Sequence, residues 1–255
     1  MRVHSNISSH RWIFSFRSFL ITIVKHVCSD FLARLSVVEE FIKRREEFFK
    51  SLMEEKRLKA YIVNSNLAII VFSAVYGATM GVYPGGLQVF YDAVKIPMLL
   101  LISLYITAPS YYVLSSIFGG KRSFIQMLIL LLSSLTTMST ILLALVPINL
   151  FFIFTTASAT YSTYAFLIIL NVAIFALAGL FSLLHLLRGF MTIYPGIGWT
   201  PAFFVGSIIF MFVGTQLAWV LRPYFHYYPQ FVRPFEKNFY VAMIELIIRL
   251  LRGVY

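Results

Sequence analysis

Two places in this 255-residue chain set chemically capable groups beside long apolar stretches. In Phe212-Val213-Gly214-Thr215-Gln216-Leu217-Ala218-Trp219, with Arg222 one turn on, a hydroxyl, an amide, an indole N–H and a guanidinium gather near one helix end. Thr215, Gln216, Trp219 and Arg222 supply the donors a small transporter or channel would need, and an amide inside a membrane segment must find partners within the protein. Asp92 and Lys95 stand at i, i+3 just before Ile96-Pro97, at the expected mouth of a span. Charge in a bilayer is expensive and usually purposeful, so such a pair could couple ions to transport. At the end of a span, Lys95 can instead extend its ammonium into the interface as an anchor, and this is the expectation here. The same reading applies to His185 and Arg188.

Other polar groups point to packing. Ser133, Ser134, Thr136, Thr137, Ser139 and Thr140 crowd one apolar stretch and point all around a helix, so they define no pore face. They are expected to bond back to their own backbone. Gly77-Ala78-Thr79-Met80-Gly81 is a G-x-x-x-G, whose small residues let two backbones approach closely, expected between two spans of this chain. The chain carries no Ser-His-Asp set, HExxH, CxxC, P-loop or G-x-G-x-x-G in a usable context. Its histidines, His4, His10, His26, His185 and His226, are not at metal-ligand spacing, and Cys28 stands alone. No enzymatic activity, metal or cofactor is expected.

The elements that must hold these groups follow from composition. Apolar residues make up 60% and charged residues 12%, against roughly 45–50% and about 25% in soluble domains. Residues 123–184 contain no Asp, Glu, Lys, Arg or His, and residues 189–221 no Asp, Glu, Lys or Arg. A helix crosses the hydrocarbon in about 20 residues, and the alternating pattern of a membrane barrel is absent. The fold class is therefore an all-α, polytopic transmembrane bundle of about five spans. These spans are expected near residues 63–83, 94–118, 124–146, 164–187 and 201–221, with residues 148–162 as a loop or short interfacial helix.

Three regions result. Residues 1–61 form basic and charged amphipathic helices at the membrane surface, residues 62–222 the five-span domain, and residues 223–255 an aromatic and basic tail with a C-terminal amphipathic helix. Within the first, Glu39 with Lys43 and Glu46 with Lys50 pair at i, i+4, and residues 29–61 offer a surface for a protein partner. The formal charge of +11 is assigned to attraction for anionic lipids of the bilayer rather than nucleic acid, because the basic residues flank the spans. An integral membrane location with a cytoplasmic N-terminus also places Lys121, Arg122 and Arg188 inside. It leaves Arg222, Arg233, Lys237, Arg249 and Arg252 outside with only Glu236 and Glu245, against that rule.

Gly119-Gly120-Lys121-Arg122-Ser123-Phe124-Ile125-Gln126 resembles the turn between spans two and three of the Yip1 domain, a five-span membrane family with a cytoplasmic N-terminus. The resemblance covers roughly residues 64–221, with Gly119, Gly120, Lys121 and Arg122 as its turn motif and a charged N-terminal segment that fits, and it implies a scaffold, adaptor or subunit of a membrane complex. A second resemblance, to a group of uncharacterised prokaryotic membrane proteins of the cell membrane, rests on residues 212–223, Arg233-Pro234-Phe235-Glu236, Asn238-Phe239-Tyr240, Lys95-Ile96-Pro97 and Ala108-Pro109-Ser110-Tyr111. It implies a membrane module and no particular activity.

Overall fold

The structure is a computed structural model and describes residues 37–156, 161–194, 196, 198–222, 224, 231, 241, 244, 245 and 248. The helix expected in residues 1–28, the start of the charged segment, Cys28, the tail motifs of residues 233–240 and most of the C-terminal helix lie outside the described residues. After a helical turn at residues 37–42, the elements are α1 (Arg45–Met53), α2 (Leu58–Val82), α3 (Gln88–Ile117), α4 (Phe124–Ala144), α5 (Val146–Thr155), α6 (Tyr161–Ile193) and α7 (Thr200–Val220). There is no strand among the described residues. Five helices are long and apolar enough to cross a membrane: α2, α3, α4 continued by α5, α6 and α7. The protein is an all-helical polytopic bundle.

Local chemistry sets the helix ends. Gly119 takes a positive φ of 89° after α3, a left-handed conformation that a Cβ disfavours. Ser123 then caps α4: its hydroxyl accepts from the Gln126 N–H at 3.3 Å, and the Gln126 side chain accepts from the Ser123 N–H at 3.0 Å. This reciprocal box satisfies two backbone donors that would otherwise be orphaned. The turn motif of residues 119–126 thus acts as a helix stop and start.

Three boundaries differ from the sequence reading. The first span starts at Leu58, so the division placed at residue 61 falls inside α2. The second starts at Gln88 rather than near residue 94, which puts Asp92 inside the helix with Lys95. The stretch expected as a loop or short interfacial helix is helical from Val146 as α5, with Pro147 in its first turn, where its missing N–H costs nothing.

Packing arranges the spans around α4, whose most apolar stretch is 67% buried, against 17% for α7 at the periphery. The α2 helix lies against α3 and α4, α6 packs on α4, and α7 on α3. A Cβ built on Gly77 would stand 2.2 Å from the Asp92 carbonyl oxygen, and one on Gly81 2.5 Å from the Val89 Cα. The G-x-x-x-G therefore sits where α2 and α3 meet backbone to backbone.

The described part of the N-terminal segment, residues 37–53, packs on the chain's own helices. Phe41, Phe48 and Leu52 are fully enclosed, with the Phe48 ring 4.6 Å from Phe41 and 5.3 Å from Tyr61. A membrane surface could cover the same apolar side chains, so directional bonds fix α1 to the bundle. Gln126 donates to the Leu52 carbonyl at 2.9 Å. Glu40 accepts from Arg57 at 2.8 Å and from the Tyr61 hydroxyl at 2.8 Å, and its carboxylate raises the Arg57 pKa further above the ordinary value. The apolar face of this segment is covered by the protein itself.

Gly77→Val should push α2 off α3 and cost about 1–3 kcal/mol or more, the scale of overpacking in a close-packed interior. Thermal unfolding in mild detergent would show a lowered midpoint; an unchanged midpoint would contradict the backbone contact.

Candidate functional site

The early start of α3 carries Asp92 and Lys95 into the protein. Both side chains are 0% exposed, with Lys95 Nζ 3.4 Å from Asp92 Oδ1. Gln88, one turn earlier, donates to the same oxygen at 2.8 Å. The rings of Tyr224 and Phe231 lie 5.5 and 5.7 Å from Lys95 Nζ, within cation–π range. Phe231 also meets Tyr91 edge-on at 5.8 Å. Lys95 is therefore no interfacial anchor: its ammonium points into a closed shell of carboxylate and aromatic faces. Burial and the nearby Asp92 carboxylate push the Tyr224 phenol up, so it stays protonated and donates to the Ala218 carbonyl at 3.2 Å.

A second polar group joins three helices and was not singled out in the sequence. Tyr76 on α2 donates to Asn171 Oδ1 on α6 at 2.6 Å. Asn171 Nδ2 donates to Asn149 Oδ1 on α5 at 3.2 Å and to its own Leu167 carbonyl at 2.9 Å. Asn149 donates to the Thr79 hydroxyl at 3.0 Å. The only available signal was that Gln126, Asn149 and Asn171 are the sole amide side chains in the uncharged run of residues 123–184. Of the α4 hydroxyls, Thr136, Thr137, Ser139 and Thr140 donate to carbonyls of their own helix. Ser133 and Ser134 also reach α6, at His185 Nε2 (3.1 Å) and the Ser182 hydroxyl (2.8 Å).

Between α6 and α7, over a floor of α3 and α4, lies a cavity of about 820 Å³. The two wall helices meet near the α1 end, where the Phe190 ring stands 5.9 Å from Phe203 and 6.3 Å from Trp199. Tyr111 closes the same end, bonded to Ser207 at 3.1 Å and pressed on Gly206, where a built Cβ would come within 2.4 Å of its ring. Val172, Leu180 and Met211 line the cavity and also face outward, so it is a cleft open sideways. From Ile96 to Tyr111 its floor extends roughly 22 Å at the rise of an α-helix, most of the ~30 Å hydrocarbon thickness.

At the far end the lining turns polar and aromatic, with Thr215, Trp219, Arg222 and Tyr224. The Arg222 guanidinium stacks 3.6 Å over the Trp219 ring, and the Thr215 hydroxyl donates to the Met211 carbonyl at 2.9 Å. Gln216, chosen from the sequence as the centre of this cluster, is not part of the lining. Tyr224 both lines the cleft and covers Lys95, so two groups far apart in sequence share one end of the bundle. The turn at Gly119, Gly120, Lys121 and Arg122 is at the other end, where Arg122 donates to the Ile193 carbonyl at 3.4 Å.

Two helical glycines stand out because packing does not require them. A Cβ on Gly179 would meet nothing within 4 Å, and one on Gly214 only the Ser103 hydroxyl at 3.7 Å. Each costs its helix about 1 kcal/mol relative to alanine, and both line the cleft. Ser103 lines it too, buried, with no hydrogen bond to its hydroxyl among the described residues. Among those residues no group of three or more His, Cys, Asp or Glu gathers as a metal site.

Compared with protein-family models, curated proteins and solved structures, the chain matches none. Fold and site together define a five-span helical membrane protein with a lateral apolar cleft.

Removing one member of the enclosed ion pair leaves the other uncompensated. Lys95→Met should cost about 3–5 kcal/mol, while the double variant Asp92→Asn with Lys95→Met should recover most of that loss. Unfolding midpoints of the three proteins in one detergent check this, and equal single and double losses would contradict it.

Proposed function

We propose that this multi-pass membrane protein binds a membrane lipid, holding its hydrocarbon in the cleft between α6 and α7. The observation that carries the reading is the cleft itself: about 820 Å³, apolar through most of its length, open sideways, and kept wide by glycines that no packing contact demands. Ligand sites are typically concave, apolar and equipped with a few convergent polar groups, and this volume is within their usual range.

Rival readings fare less well on the same geometry. A route for a polar solute or ion needs polar groups free along its length, whereas here Ser103, Thr107, Ser134, Asn171, Ser182 and Ser207 are scattered among a larger set of Leu, Ile, Phe and Met, and Thr107, Ser134, Asn171 and Ser182 donate to backbone carbonyls. Moving a lipid headgroup across the bilayer meets the same objection, so the cleft is suited to tails rather than to a travelling head. A scaffold role through residues 29–61 would have to use the charged face of the N-terminal segment, since Phe41, Phe48 and Leu52 are already covered. A lipid-holding subunit of a larger membrane complex keeps the scaffold idea in a form these contacts support.

Gly179→Phe tests the reading with little risk to the fold, because the position opens into the cleft. Purified from the same membranes, the variant should retain at least about tenfold less lipid by native mass spectrometry, a loss worth ~1.4 kcal/mol. Its unfolding midpoint should not fall. Equal lipid retention in the two proteins would overturn the proposal.

A further inference from the structure

The floor of the cleft holds a polar group that its surroundings leave unsatisfied. Ser103 is 1% exposed, and its hydroxyl makes no hydrogen bond among the described residues. Neighbouring hydroxyls of the lining are committed. Thr107 donates to the Ser103 carbonyl at 2.8 Å, Ser134 to the Ser182 carbonyl at 2.7 Å, and Tyr111 to Ser207 at 3.1 Å. Packing does not ask for a hydroxyl at position 103. On α7 opposite stands Gly214, where even a built Cβ would keep an ordinary 3.7 Å from the Ser103 oxygen. Alanine at 103 would therefore pack as well and avoid burying a donor without an acceptor. We infer that the cleft binds a neutral lipid carrying a carbonyl oxygen into the hydrocarbon, and that Ser103 donates a hydrogen bond to that oxygen.

Depth decides the chemistry of this occupant. The α7 helix runs 21 residues, from Thr200 to Val220, about the length that crosses a ~30 Å hydrocarbon layer. Ser103 meets it at Gly214, six residues before its end, which places the hydroxyl roughly 9 Å inside that layer at the helical rise. A phospholipid keeps its ester oxygens beside its charged headgroup at the interface, because charge drawn so deep is expensive. A neutral lipid has no such tether, and its carbonyl can descend to Ser103.

The lining suits that ligand. From Ile96 to Tyr111 the α3 segment that makes the floor contains no charged residue, so nothing there selects an ion. A volume of about 820 Å³ along roughly 22 Å of floor leaves room for a ring or a second chain beside one extended chain. Serine has a single side-chain torsion to set, so its hydroxyl can swing toward an arriving acceptor. Two classes of neutral lipid bring such a carbonyl: isoprenoid quinones on a ring, and diacylglycerols at an ester.

The inference rests on the lipid-binding reading of the cleft, and the controls separate the two. Full-length protein in phosphatidylcholine nanodiscs is offered equal amounts of decylubiquinone and decylbenzene, which has the same tail and no carbonyl. A parallel sample is offered dioleoylglycerol and the dioleyl ether of glycerol. Lipid carried out with the protein is measured by native mass spectrometry. The wild type should retain a carbonyl lipid over its counterpart by about tenfold, the worth of one hydrogen bond to a buried donor. The pair that shows the preference identifies the class, and either result supports the inference. Ser103→Ala should bring the ratio close to parity with total lipid unchanged, whereas Ser103→Thr, which keeps the hydroxyl, should preserve it. Without added ligand, the unfolding midpoint of Ser103→Ala should equal or exceed that of the wild type, and a clear fall would show that the hydroxyl serves the fold instead. The wild-type ratios need no variant, so the test survives any folding defect. Parity in both pairs on the wild type would overturn the carbonyl site and leave the tail cleft standing. A preference unchanged in Ser103→Ala would overturn the assignment to Ser103. A wild type that retains no lipid at all, phosphatidylcholine included, would overturn both readings.

Discussion

The arrangement of this bundle depends on the backbone contact between α2 and α3. Lipid tails are as apolar as leucine, so burial gives spans little reason to associate, and close packing between small residues must supply it. At Gly77 and Gly81 the two helices approach as no side chain would permit, with the Asp92 carbonyl oxygen in the space a Cβ would take. This contact sets α3 against the central pair α2 and α4 and turns its other face outward. That outer face carries α7, while α6 is carried by α4. Two helices hung on different supports need not meet each other, and α6 and α7 do so at the aromatic cluster of Phe190, Trp199 and Phe203. The cleft is the remaining separation.

Polar groups within the bundle show two ways of meeting the cost of burial. Asn149, Asn171, Tyr76 and Thr79 satisfy one another across three helices. Each such bond is worth about 0.6 kcal/mol, but together they specify how α5 folds back on α2 and α6. The Asp92–Lys95 pair has a different balance. Desolvating two charges can outweigh their attraction, so its value lies less in stability than in what it organises: Tyr224 and Phe231 are drawn over the ammonium, and Tyr224 in turn forms part of the cleft wall. A buried pair thereby shapes one end of the site without facing it.

Much of this was legible in residue order, and the remainder was hidden for identifiable reasons. Hydropathy reveals five spans because crossing a bilayer is a requirement on each helix separately. It does not reveal which faces meet. The start of α3 is hidden because Asp92 reads as a charge at the mouth of a span, although in the fold Gln88 and Lys95 satisfy it inside the helix. For α1, the i, i+4 charge pairs describe the outer face, but the docking of the inner face depends on Gln126, 74 positions away from Leu52 in sequence. Ser123 and Gln126 carry a family-like pattern, yet in the fold they cap a helix and hold α1. A motif made of such residues marks an architecture more readily than an activity. The polar cluster at the end of α7 was found as a group, but its centre was put on Gln216, whereas the cleft selects Thr215, Trp219 and Arg222. Spacing along one helix cannot tell which of its faces borders an opening made by another.

The cleft itself has no local signature, since empty space is encoded only by what is left out. Among helical glycines, Gly77, Gly81, Gly189 and Gly206 are accounted for by a neighbour that a Cβ would strike. Gly179 and Gly214 are not, and a helix that needed only to pack would gain stability from alanine at both. Their cost becomes intelligible if the space must stay open. A lipid tail lying in the slot is an occupant that would need that space, whereas a bundle that only packs would not.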